Sequence, residues 1–85
     1  MNRKLLKMWE SDLDVMGRTK GTIRTYRNDF GLFLDFIDER KIEEVTKDDI
    51  KNFLRFKKSE GNSPTTIDKL FSVISSFFYW AEDEG

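Results

Sequence analysis

The chain has 85 residues, enough for one domain with a single modest core. It contains neither cysteine nor histidine, which excludes disulfides, the usual zinc sites, and Ser-His-Asp or Cys-His catalysis. The net charge of −1 hides an asymmetry: residues 1–27 carry +4, residues 28–60 carry −2 and residues 61–85 carry −3, so an anionic partner would meet one face only.

The longest wholly apolar run, 77-FFYWA-81, is far too short to span a bilayer, and 1-MNRKLLKMWE-10 holds no apolar stretch of signal-peptide length. With no cysteine either, a cytoplasmic domain is expected.

The first helix is predicted from about Arg3 to Met16, with Leu5, Leu6, Trp9, Leu13 and Met16 on one stripe and Gly17 as a left-handed C-terminal cap. Thr19 caps a second helix running to about Arg40, whose core face is Ile23, Tyr26, Phe30, Phe33, Leu34 and Ile37. After a short linker, Lys41–Val45, the stretch 46-TKDD-49 opens a third helix, with Asp49 in the return position of a capping box. Gly61 stops that helix, and Ser63 with Pro64 starts a fourth that runs towards Glu84. Ile67, Leu70, Phe71, Ile74, Phe77, Phe78 and Ala81 are expected to point inward from it. No segment alternates with period two, so the expected fold is all-α, a compact four- to five-helix orthogonal bundle. Its core is predicted to include Trp9, Tyr26, Phe30, Phe33, Phe53, Ile67, Leu70, Ile74 and Phe77.

Carboxylate chemistry has little support. Asp12 and Asp14 point to different faces of a helix, Asp48 and Asp49 suit the dipole of a first turn, and 82-EDE-84 reads as solvated. No glycine-rich phosphate loop is present, so no cofactor, no metal and no enzymatic activity of this chain alone are expected.

The outward faces carry more. On the second helix Lys20, Arg24 and Arg27 share one flank, within about 60° of one another, and Gly31 lies on the same flank. The fourth helix turns Thr65, Lys69, Ser72 and Ser76 outward; small hydroxyls with one lysine are poor solubilisers and suit a closely approaching surface such as a phosphate backbone. The third helix has a basic stripe, Lys47, Lys51, Arg55 and Lys58, that reads as a solvated face. The second and fourth helices also start alike: 19-TKGTI-23 and 63-SPTTI-67 each place a hydroxyl cap three residues before a threonine, Thr22 or Thr66. Two such ends offer free N–H groups to an anion, although Ser and Thr are also the commonest caps and the repetition is open to chance.

The segments 19-TKGTIRTYRNDFGLFLDFI-37, 46-TKDDIKNFL-54 and 61-GNSPTTIDKLFSVISSFFYWAEDEG-85 resemble, in order and spacing, the N-terminal core-binding domain of tyrosine recombinases of the phage-integrase and Xer type. Thr22, Tyr26 and Asp29 correspond to a Thr-x-x-Tyr-x-x-Asp motif of that family with the first gap one residue longer, and Thr46 to Ile50, Ser63 to Ile67 and Phe77–Phe78 match further elements of it. The resemblance implies a SAM-like helical domain forming half of a clamp around double-stranded DNA, with the second and fourth helices across the major groove. It implies Lys20, Thr22, Arg24, Arg27, Thr65, Thr66, Lys69 and Ser72 as DNA-binding candidates. It also implies contacts to neighbouring recombinase protomers on DNA through the first helix, the isolated domain being expected as a monomer. The family's catalytic residues belong to a separate C-terminal domain; none carries over, since Tyr26 and Tyr79 match no nucleophile motif. The rival reading is a SAM-like protein–protein interaction module whose hydroxyl-rich face docks another protein.

Overall fold

The computed structural model describes residues 2–38 and 40–84. Its elements are α1 (Asn2–Val15), α2 (Lys20–Ile37), a 3₁₀ turn (Ile42–Glu44), α3 (Lys47–Ser59) and α4 (Pro64–Glu84), with no strand among the described residues. The all-α expectation holds.

Two corners of the same make organise the chain. At the end of α1 Gly17 takes φ +85°, its N–H donates to the Asp14 carbonyl, and the Arg18 N–H reaches back to Leu13. At the end of α3 Gly61 takes φ +96°, its N–H donates to Lys58, and the Asn62 N–H reaches back to Lys57. Both are Schellman turns, and in both the residue two places after the glycine caps the next helix. The Thr19 Oγ1 accepts from the Thr22 N–H at 3.2 Å, and the Ser63 Oγ accepts from the Thr66 N–H at 3.3 Å. In each case the capping hydroxyl donates to the hydroxyl of that threonine. The twin starts are therefore halves of twin helical corners, and their likeness has an architectural cause.

α2 is shorter than its pattern suggests. It stops at Ile37, because Asp38 turns to φ 59° and its N–H donates to the Asp35 carbonyl. Releasing Arg40 from the helix lets its guanidinium donate to Asp49, the residue that closes the capping box of α3. The Asn2 side chain fastens the same connection to α1, donating to the Arg40 carbonyl at 2.8 Å and accepting from the Ile42 N–H at 3.3 Å. The expected linker is thus a tethered 3₁₀ turn with Ile42 buried.

The Arg40 side chain, and after it the Thr46 backbone N–H, draw the Asp49 carboxyl down from 3.8 to about 2. A carboxylate more acidic in the folded than in the unfolded chain stabilises the fold above its unfolded pKa, and that stabilisation fades as pH falls towards 2. Asp49→Asn is therefore expected to flatten the acid limb of a melting-temperature-against-pH curve between about pH 4 and 2. An acid limb unchanged by the substitution would contradict the assignment.

The core is aromatic. Trp9 lies at its centre, stacked on Tyr26 at 5.5 Å and edge-on to Phe77 at 5.2 Å, and Phe30 stacks on Phe77 at 4.0 Å. Phe33 meets Phe53 edge-on at 5.3 Å, bringing α3 into the same cluster. Leu70, Val73, Ile74 and Phe77 form the buried stripe of α4. Phe71, expected inward, is 51% exposed; it sits one step, about 100°, beyond Leu70 and faces the groove between α3 and α4. Val73 takes the place assigned to it. Tyr26, Ile67, Phe78 and Ala81 are half-buried rather than central, and Met16 lies beyond α1 and is 60% exposed.

Candidate nucleic-acid interface

The two helices of interest cross over the core, where Phe30 of α2 stacks on Phe77 of α4. A groove of 510 Å³ lined by Arg18 and Tyr26 on one side and Ser76, Tyr79 and Trp80 on the other sets the start of α2 beside the last turns of α4. The start of α4 instead adjoins the end of α3, where Pro64, Ile67 and Asp68 face Lys58 and Asn62. The twin helix starts consequently stand at different ends of the domain.

The candidate residues fall into three groups. Lys20, Arg24, Thr65 and Ser72 are exposed, and neither Lys20 nor Arg24 has an ion-pair partner among the described residues. Thr22 and Thr66 are half-buried, and their backbone N–H and side-chain oxygen atoms are engaged by the caps. Arg27 and Lys69 are held by carboxylates of neighbouring helices: Arg27 by Glu10 of α1 at 3.3 Å, and Lys69 by Asp29 of α2 at 3.5 Å. Positions 27 and 29 are about 200° apart around α2, so these two pairs lie on opposite flanks. Lys20, Arg24 and Arg27 form the α1 side of α2, and Lys69 approaches from the other side.

Gly31 does not leave an open flank. It is buried, and a Cβ there would lie 3.3 Å from the Arg3 guanidinium, which also pairs with Asp35 at 2.9 Å. The Ser76 hydroxyl is likewise occupied, donating to the Ser72 carbonyl at 2.8 Å within α4. On α3 Lys47, Lys51, Arg55 and Lys58 are exposed, as a solvated stripe should be. Glu10 and Asp29 carry no sequence signal for these pairings, since each meets its cation only through a neighbour on another helix. Among the described residues no cluster of acidic side chains could hold a metal ion, and no helix is long and apolar enough to cross a membrane.

Residues 6–85 match the family described as Phage integrase, N-terminal SAM-like domain. The chain belongs to that family. The phage-integrase SAM-like domain is similar to segments of curated tyrosine recombinases. It is 35% identical over 71 residues to the tyrosine recombinase XerC of Herpetosiphon aurantiacus, an alignment covering 80% of this chain and 23% of that protein. It is 31% identical over 71 residues to XerC of Thermodesulfovibrio yellowstonii, covering 81% of this chain and 23% of the relative. It is 26% identical over 73 residues to the tyrosine recombinase XerD of Listeria innocua, covering 81% and 25%. The SAM-like domain thus spans about a quarter of the length of the relatives it matches. No solved structure matched.

Proposed function

We propose that this domain is the DNA-binding arm of a site-specific tyrosine recombinase or integrase, and that α2 and α4 grip the core recombination site during DNA integration or recombination. The observation that carries the proposal is the family match across residues 6–85, with recombinases among the relatives. The outward faces of α2 and α4 support it: Lys20 and Arg24 present charge with no ion-pair partner among the described residues, and Thr65 and Ser72 present small hydroxyls that let a duplex come close. Strand cleavage and rejoining would rest with catalytic residues supplied outside these 85 positions, and contacts between protomers would form on the DNA.

Binding by the isolated domain is expected to be weak, in the ~10⁻⁴–10⁻⁶ M range of largely electrostatic contact at physiological salt. Arg24→Ala should lower affinity for all duplex sequences alike and reduce the salt slope by about one. Thr65 and Ser72 lie where base edges would be read, so their replacement should change preference among sequences. Lys57, paired with Glu60 at 3.0 Å and lying over the Phe53 and Phe56 rings, is the control and should matter little. In an NMR titration with duplex DNA, shifts should cluster at Lys20–Arg27 and Ser63–Ser72; shifts confined to Lys47–Lys58 would refute the proposal.

The protein-interaction reading keeps one observation of its own. A groove of 580 Å³ between α3 and α4 is lined by Val45, Ile50, Phe71, Phe78 and Tyr79, with Tyr79 72% exposed. Saturable binding of a protein partner at this groove, with indifference to DNA, would favour that reading.

A further inference from the structure

The two held cations share a geometry. In the Arg27–Glu10 pair the side chains are 49% and 20% exposed, and in the Lys69–Asp29 pair they are 56% and 16% exposed. Each time the cation reaches solvent and the carboxylate sits beneath it. Asp29 is the sharper case: its Oδ2 is buried and has no hydrogen-bond partner among the described residues, so the Lys69 ammonium at 3.5 Å is its nearest compensation. A partly desolvated carboxylate without a hydrogen bond is expensive to leave alone, so it holds its cation more firmly than a solvated one would.

We infer that Glu10 and Asp29 are internal counter-ions of the duplex-binding helices, one on each flank of α2, each holding one basic side chain in the DNA-free protein and weakening its pull on phosphate. This rests on the DNA-binding reading above. A phosphate that engages Arg27 must draw it from Glu10, and one that engages Lys69 must draw it from Asp29. Each such exchange swaps one ion pair for another and adds less than a full new one. Lys20 and Arg24 carry no such deduction. Together α2 and α4 therefore attract phosphate as though they carried fewer than these four basic side chains. Glu10 and Asp29 act through Arg27 and Lys69, which makes them positioning residues.

The test compares the wild-type chain with Glu10→Gln, Asp29→Asn and the double variant, all shape-preserving. A fluorescein-labelled duplex is titrated between ~50 and ~200 mM salt, a range over which counter-ion release is readily measured. Melting temperatures establish that each variant is folded. Each single variant should bind about two- to fivefold more tightly, the worth of an exposed ion pair. Each should also steepen the dependence of log K on log salt by up to ~0.9. The effects should add in the double variant, because the pairs share no partner. Asp29→Asn in a Lys69→Gln background should lose the gain in slope that Asp29→Asn shows alone, because the cation it releases is gone. A merely structural role would move melting temperature and leave the slope alone. If the wild type binds duplex and both single variants keep its slope and affinity, the inference is wrong and the DNA-binding reading stands. Wild-type behaviour in one variant removes that residue from the role. If none of the proteins binds duplex, the DNA-binding reading itself fails and the inference falls with it.

Discussion

Phe30→Ala is expected to lower the unfolding free energy by about 3–5 kcal/mol, the range for truncating a fully buried phenylalanine. The ring is inaccessible to solvent and lies within 6.2 Å of the Trp9, Phe33, Phe77 and Phe78 centroids, so its removal strips partners from three helices at once. Two of those neighbours, Trp9 and Phe77, are themselves fully packed and cannot collapse into the space without leaving their own contacts. A domain of this size has roughly 4–13 kcal/mol of stability in all. The same change is expected to take about 12–40 °C from the melting temperature, at about 4–8 °C per kcal/mol. Urea denaturation and thermal melts measure both. Phe71→Ala, at the groove, provides the contrast and should cost less than about 1 kcal/mol. Equal losses at the two sites would mean that α4 is rotated from the orientation described here.

Asp12→Ala is expected to cost about 1.5–3 kcal/mol, the worth of a hydrogen bond to a charged group whose partner is left behind. The Trp80 Nε1–H donates to Asp12 Oδ2 at 2.7 Å, tying the last turns of α4 to α1 across 68 residues of sequence. Both side chains are half-buried, so water can replace only part of what is lost. Trp80→Phe separates the two contributions, because it keeps a ring beside Phe77, 5.5 Å away in the native pair, and removes only the donor. The pair of substitutions together should cost less than the sum of the singles, the mark of a direct interaction in a double-mutant cycle. Strict additivity would show that the two side chains contribute independently.

The legible parts of this fold were those decided locally. Thr19, Ser63 and the Thr46–Asp49 box announced their helices because a cap needs only residues within one turn, and Gly17 and Gly61 announced the ends for the same reason. The core face of α2 was legible because its other faces are mostly polar. α4 is less legible: Ile67, Phe71, Phe78 and Ala81 flank the buried stripe of Leu70, Val73, Ile74 and Phe77, so the helical period does not single out one face or separate Phe71 from Val73. The end of α2 at Ile37 is hidden from the sequence because an aspartate at positive φ has no strong sequence signal, and its advantage lies in freeing Arg40 for Asp49 on another helix. At the candidate interface residue type was legible and availability was not. Lys20 and Arg27 look alike in the sequence, and only the position of α1 gives Arg27 a partner.

The twin corners divide the chain into two helical hairpins, α1 with α2 and α3 with α4, meeting at the tether between Arg40 and Thr46. Trp9 packs on Tyr26 and Phe30 within the first hairpin, but neither hairpin completes the core alone. Phe30 lies on Phe77, Trp9 meets Phe77 and Phe33 meets Phe53, and every one of these contacts joins one hairpin to the other. Each half alone would leave an aromatic face in water, with too little buried surface to offset the entropy of ordering its backbone. The hairpins are thus complements within one polypeptide, and the domain is expected to melt as a single cooperative unit.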